Sequence, residues 1–363
     1  MMNVFGNIYK VMLIGSSHGN LVGVVIDGVP PAEEINIDEI EQDLRRRAPG
    51  QSKVTTQRKE KDKLIIEAGI LNGKTTGEPV VAFVRNKDID SSYYDEIKET
   101  PRPGHADYPA FVKYKGANDY RGGGRFSGRM TIGLVIAGSI AKQILRRRGV
   151  KFIAYTKEIG GILAPPDSSA LSESFIYSDE NIVRVANKDA INPIVQAIMD
   201  AKKQGDSLGG VVECQILGLP VGVGEPIFDS IESSLAHIAF SIPATKGIEF
   251  GSGFQAARMK GSEHNDPFVV ENGEVKTITN NAGGILGGLS NGMPVIFRIA
   301  FKPTSSISKK QQTINKQTGE LTELKVRGRH DPCIVPRAVP IVENSAAIVM
   351  LDLMLMGGFF GGN

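Results

Sequence analysis

Residues Pro101–Arg148 read PRPGHADYPAFVKYKGANDYRGGGRFSGRMTIGLVIAGSIAKQILRRR. The first thirty residues of this run contain little that could form a core. They concentrate Gly, Arg, His and Asp instead, with His105 flanked by Arg102 and Asp107, and Arg121, Arg125 and Arg129 around Gly122-Gly123-Gly124. Glycines let backbone N–H groups approach a ligand, and arginines grip phosphate or carboxylate with a planar fork. From Thr131 the character changes to a mostly apolar helix running to Arg148, with Gly149 as its C′ residue. A helix this apolar is buried on most sides. The spacing therefore predicts a polar site loop held rigid at the foot of a core helix.

Working outward, VMLIG and LVGVVIDG flank SSHGN, which puts His18 on a tight turn between two strands. Asn36–Arg47 reads as a helix, with Asn36 as cap and Glu39 at the capping-box spacing. Its closing triplet Arg45-Arg46-Arg47 reads as a solvated helix end, or alternatively as an anion clamp with Lys53 and Arg58. Residues 63–85 form a hairpin pattern around Asn72-Gly73. Residues 150–190 show no clear pattern. Asn192–Lys203 reads as a helix and Gly209–Gly218 as a strand. A further helix capped by Asp229 runs to about Ser241. Residues 247–261 read as a Gly-rich loop, Pro294–Lys302 as a strand, and Glu343–Met356 as a final apolar helix. VVIDGVP (24–30) and CQILGLP (214–220) each lead into a capped helix, a weak internal repeat. The pattern is α+β with mainly antiparallel sheets.

With 41% hydrophobic and 23% charged residues, the 363-residue chain reads as globular, and a net charge of +2 argues against nucleic-acid binding. Two cysteines cannot form a disulfide framework and point to a reducing compartment, the cytoplasm. Neither a signal peptide nor an apolar run long enough to span a bilayer is evident, so no membrane partner is expected. Several chemistries are poorly supported. Gly69–Thr75 has only three residues between its glycines where a phosphate loop needs four. No G-x-G-x-x-G opens a helix after a strand, no G-x-S-x-G elbow is present, and no HExxH or CxxC pair suggests a metal. What recurs is cationic. His18, His105, Arg47, Arg125, Arg129, Arg329 and Arg337 come from separate Gly- or Pro-rich segments, and Asp331 could serve as a fixed base. This favours a shared pocket for a multiply anionic small molecule, with histidine acid/base chemistry.

At these residues the chain resembles the chorismate synthase family. Gly15-Ser16-Ser17-His18-Gly19 stands where the family has G-E-S-H-G, and Arg102–Asp107 matches R-P-G-H-A-D. Asp119–Thr131 follows D-Y-R-G-G-G-R-S-S-A-R-E-T. RRxPGxS (46–52), GDSxG (205–209), AGGILGG (282–288), KPTSS (302–306) and GRHDPC (328–333) match in the same order. The resemblance implies one domain over residues 1–363, folded as an internally duplicated β-α-β sandwich with central helices and assembled as a homotetramer. It implies conversion of 5-enolpyruvylshikimate 3-phosphate to chorismate by 1,4-anti elimination with reduced FMN (FMNH2).

Residue by residue, the resemblance makes His18 the acid at the departing phosphate and His105 the acid near flavin N1. It places Asp331 near N5 as an aid to deprotonation, and makes Ser17 and Ser127 proton relays. FMN contacts fall on Arg125, Phe126, Ser127, Pro243, Ala244, Gly287, Lys302, Pro303, Thr304, Ser305, Ser306 and Arg329. Arg47 and Lys53 match positions assigned to NADPH or substrate phosphate, and Arg129 and Arg337 are expected at substrate. Ser16, Phe126, Gly128 and Met130 depart from the family pattern. Two other readings stay open at this level: a flavin-binding module without turnover, and a binder of anionic metabolites.

Overall fold

The computed structural model describes residues 3–50, 62–87, 92–166, 171–328 and 330–360. The first half builds an antiparallel sheet from Val4–Phe5 (β1), Lys10–Gly15 (β2), Leu21–Asp27 (β3), Leu64–Ala68 (β4) and Val80–Arg85 (β5), in the order β1-β2-β3-β5-β4. The second half builds another from Lys151–Ile159 (β6), Ile162–Leu163 (β7), Gly210–Leu217 (β8), Thr245–Phe250 (β9) and Val295–Phe301 (β10), in the order β9-β10-β8-β6-β7. Helices Ile37–Arg47 (α1), Thr131–Arg146 (α2), Ile231–Ala239 (α3) and Val335–Met356 (α4) fill the space between the sheets. α2 packs on β2, β3 and β5, α4 packs on β6 and β8, and the two helices pack on each other.

Side-chain period explains these layers. In β10 every second residue (Val295, Phe297, Ile299, Phe301) is buried, and the residues between are half-buried, as a one-sided sheet requires. α2 has buried residues all around its axis, so it can only be a core helix. Strand order β2-β3-β5-β4 recurs as β6-β8-β10-β9, with α1 and α3, then α2 and α4, at matching points of the chain. The duplication anticipated from VVIDGVP and CQILGLP corresponds to the β3–α1 and β8–α3 connections.

Local expectations were corrected in several places. Asn36 caps α1 by accepting from Asp38 N, but Glu39 pairs with Arg146 and leaves the Asn36 N–H to Gln143 Oε1 (2.7 Å). Ser230, not Asp229, caps α3, because its hydroxyl accepts from Ser233 N (3.1 Å). Residues 247–250, expected at the start of a Gly-rich loop, belong to the strand Thr245–Phe250, and 151–159 are a nine-residue strand. α4 begins at Val335, eight residues before the expected start, and contains Pro336 and Pro340. Proline is tolerated in a first turn, and Pro340 cannot donate to the carbonyl four residues back. This lengthens α4 enough to pass, by length and composition, as a membrane span, yet it is buried between the sheets along nearly its whole length.

Two buried carboxylates on α4 tie the layers together. Asp352 accepts from the backbone N–H groups of Asn7 (2.8 Å), Ile8 (2.7 Å) and Tyr9 (2.8 Å), which docks the start of the chain onto its last helix. Glu343 pairs with Arg46 (2.8 Å) and Lys142, and Asp43 pairs with the same two cations. Burial works against the Glu343 carboxylate, but Arg46 and Lys142 outweigh it and lower its pKa from 4.5 to about 2. A depressed carboxylate pKa contributes stability that is present above the unfolded value and is lost as pH falls through the folded one. Wild-type stability, read from denaturant midpoints, should therefore decline between about pH 4.5 and 2. Glu343→Gln should be less stable at pH 7 and show a shallower acid decline. Parallel curves for the two proteins would sink this account.

Candidate active site

The His18 turn joins β2 to β3. Ser16 N donates to Leu21 O (3.3 Å) and Gly19 N to Ser16 O (3.1 Å), which closes the turn and leaves Ser17 and His18 buried. Ser17 Oγ lies 3.3 Å from His18 Nδ1, and the His18 ring meets Tyr94 edge-on at 5.1 Å. His105 starts from a separate loop. Its Nδ1 lies 2.6 Å from Asp107 Oδ1, and Arg102 grips the same carboxylate through Nε (2.7 Å) and Nη2 (2.8 Å). Burial opposes the Asp107 charge, but the hydrogen bonds from Arg102 and His105 prevail and hold its pKa well below the usual carboxylate range. A permanent carboxylate there keeps the His105 proton on Nδ1 and aims Nε2 away from it.

The triple glycine brings the two histidines together. Gly122, Gly123 and Gly124 all have positive φ (59°, 84°, 51°), a conformation that favours glycine. A Cβ on Gly122 would overlap His18 Nδ1, and one on Gly123 would sit 3.2 Å from His105 Nε2. Both imidazoles thus rest on bare backbone.

These groups open into one cleft of about 580 Å³, within the usual range for small-molecule sites. Arg47, Arg102, Arg125, Arg129, Arg337 and Lys302 line it, and Asp331 is the only lining carboxylate among the described residues. Arg47 and Arg129 share Asp62, at 3.1 and 3.0 Å, so this buried trio keeps net positive charge. Asp331 pairs with Arg337, whose Nε also donates to Arg47 O (3.0 Å). Lys302 Nζ donates to Gly104 O (2.6 Å), which joins the KPTSS and RPGHAD segments, and burial followed by the nearby Lys246 lowers its pKa. His330 also lines the cleft, its pKa lowered chiefly by burial. The N-termini of α2 and α4 both end here, which adds partial positive charge. Phe126, Phe240, Ile242, Pro243 and Ala244 provide apolar lining.

The expected residues Ser17, His18, Arg47, His105, Arg125, Phe126, Ser127, Arg129, Pro243, Ala244, Lys302–Ser306, Asp331 and Arg337 all reach this cleft. Gly287 does not. It sits in the tight turn between Ile285–Leu286 and Leu289–Ser290. Lys53, Arg58 and Arg329 lie outside the described residues. Arg46 and Arg47 are not a solvated helix end, since both are largely buried in ion pairs. Tyr94 and the Phe240–Ile242 wall escaped sequence reasoning. Their only signals were an adjacent Tyr93-Tyr94 pair and the position of 240–242 just after α3. Among the described residues, no three His, Cys, Asp or Glu side chains are grouped to hold a metal.

A duplicated sandwich with a cleft that joins two backbone-seated histidines to a ring of cations defines an enzyme for a small molecule. The chorismate synthase family model matches residues 9–355. A chorismate synthase of Dehalococcoides mccartyi is 50% identical over 359 residues, 99% of this chain and 98% of that protein. One of Korarchaeum cryptofilum is 48% identical over 350 residues, 96% of each chain. A crystal structure of chorismate synthase superposes with a TM-score of 0.77 at 27% identity, covering 97% of this chain and 93% of its own. The chain belongs to the chorismate synthase family and is a lyase.

Gly122→Ala adds a methyl group where His18 sits, at a φ that alanine resists. It is expected to lower kcat by about 10²-fold, the scale of a misplaced catalytic group. Gly261→Ala, away from the cleft, meets open space and should leave kcat within about threefold, since no neighbour has to move. Equal effects in the Gly122 and Gly261 variants would contradict the seating role of Gly122.

Proposed function

We propose that this chain converts 5-enolpyruvylshikimate 3-phosphate to chorismate and phosphate by FMNH2-dependent 1,4-anti elimination, in the shikimate route to aromatic amino acids. The observation that carries the reading is the meeting of His18 and His105 on one glycine backbone inside a cleft with six cations among the described residues. The substrate bears a phosphate and two carboxylates, and arginine forks with helix N-termini match such a load.

The residues fit a reduced flavin mononucleotide. Phe126, Phe240, Ile242, Pro243 and Ala244 suit a flat ring. Lys302 with the Thr304, Ser305 and Ser306 hydroxyls suits a ribityl phosphate, as does Arg125. Held there, reduced FMN would supply transient electron density to the elimination of phosphate and the C6 hydrogen, with no net redox change. His18, with Ser17 at its Nδ1, donates a proton to the departing phosphate oxygen. Asp107 keeps the proton of His105 on Nδ1 and fixes the ring so that its Nε2 side serves the flavin. Ser127 relays protons beside Arg129, and Asp331, paired with Arg337, assists removal of the C6 hydrogen. Arg47, Arg129 and Arg337 grip substrate. NADPH is the candidate reductant, and turnover in air with NADPH and oxidised FMN decides whether the enzyme reduces its own flavin.

The chain works as one domain, since both duplicated halves contribute to the cleft. It acts in the cytoplasm, in keeping with two free buried cysteines, and as a homotetramer. Exposed Phe254, Phe268, Val270 and Ile278 give apolar surface that such an assembly would cover.

Anaerobic enzyme with dithionite-reduced FMN and substrate should release phosphate, and His105→Ala should lower kcat by about 10²-fold or more. No phosphate release from the wild type sinks the reading. Unchanged kcat in the variant removes His105 from it.

A further inference from the structure

Asn86 directly follows β5 and does not line the cleft, yet one end of its side-chain amide holds the turn that carries the lining residues Ser17 and His18, and the other end meets the lining residue Arg129. Its Nδ2 donates to Ser16 O (3.1 Å) and Gly19 O (2.6 Å), the carbonyls on either side of Ser17 and His18. Its Oδ1 accepts from Arg129 Nε (2.5 Å). The orientation of the amide is forced by chemistry. Two carbonyls can only accept and a guanidinium can only donate, so the flipped amide would set like against like at both ends. The backbone adds a further tie, since Asn86 N donates to Asn20 O (3.0 Å). Beyond Arg129, Asp62 continues the connection to Arg47.

We propose that Asn86 is a positioning residue that locks the His18 turn to the Arg129 guanidinium, so that proton donor and anion grip stand at a fixed separation. This rests on the reading of His18 as the acid for the departing phosphate. Gly122 limits the His18 ring from one side, while Asn86 holds the backbone of its turn. Aspartate at position 86 would still accept from Arg129, but it would turn an oxygen toward two carbonyl oxygens. Alanine would release both ends.

The test is a double-mutant cycle on phosphate release with reduced FMN, using the full-length enzyme, with thermal unfolding confirming that each variant is folded. Asn86→Ala should lower kcat by about 10²-fold, the cost of a misplacement near 1 Å. In a His18→Ala background the same change should cost less than about threefold, because its target is already gone. Asn86→Asp should lose about as much activity as Asn86→Ala despite keeping an acceptor for Arg129. It enters the cycle in place of alanine if the alanine variant does not fold. A full, undiminished loss from Asn86→Ala in the His18→Ala background overturns this inference alone, as does an unchanged kcat in Asn86→Ala. An unchanged kcat in His18→Ala overturns the assignment of His18 and this inference with it.

Discussion

The contact on which the rest depends is Gly138 of α2 against Asn344 of α4. A Cβ on Gly138 would overlap the Asn344 carbonyl, whose carbon would be 2.5 Å away. On another side of the same helix, a Cβ on Gly133 would stand 2.7 Å from Gly23 O in β3. Glycine at these points lets α2 lie directly against both a helix and a sheet. The crossing falls roughly two turns in from the start of each helix. The two N-termini therefore end in the same region, each preceded by a polar loop. A core packing constraint thereby sets how far apart the two sides of the cleft can stand.

The duplication gives the cleft its plan. The loops before α2 and α4 are equivalent, as are the ends of α1 and α3. Equivalent places carry different chemistry. The end of α1 presents Arg47 and Pro49, whereas the end of α3 presents Phe240, Ile242 and Pro243. The loop before α2 seats both histidines on glycine, and the loop before α4 brings His330, Asp331 and the hydroxyls of 304–306. One half supplies both glycine-seated histidines and most of the lining arginines. The other adds an apolar wall and the lone lining carboxylate among the described residues.

Much of this could be read from residue pattern because local rules and burial agree there. The alternation of β10, the apolar run of α2 and the Asn72-Gly73 turn needed no tertiary information. Where long-range partners decide, the pattern misled. Arg45-Arg46-Arg47 looks like a solvated end, but Glu343 and Asp179, far away in the chain, join Asp43 around Arg46, and Asp62 pairs with Arg47, which makes burial of Arg46 and Arg47 tolerable. Pro336 and Pro340 concealed two turns of α4. The glycines at 122–124 marked a site, but nothing local says that one seats His18 and the next His105. Gly287 carried the same signal and lies elsewhere, because a glycine pair serves a tight turn as well as a ligand. Asn86 has no motif at all, since its meaning lies wholly in what its two ends touch.

The central claim is that both halves meet on one anionic substrate, and charge removal from each half tests it most directly. Calorimetric titration of 5-enolpyruvylshikimate 3-phosphate, with FMN present, would compare wild type with Arg129→Gln and Arg337→Gln. Each substitution should weaken binding by about tenfold or more, the value of a charge-assisted hydrogen bond. Either variant binding as tightly as the wild type would contradict a cleft built from both halves.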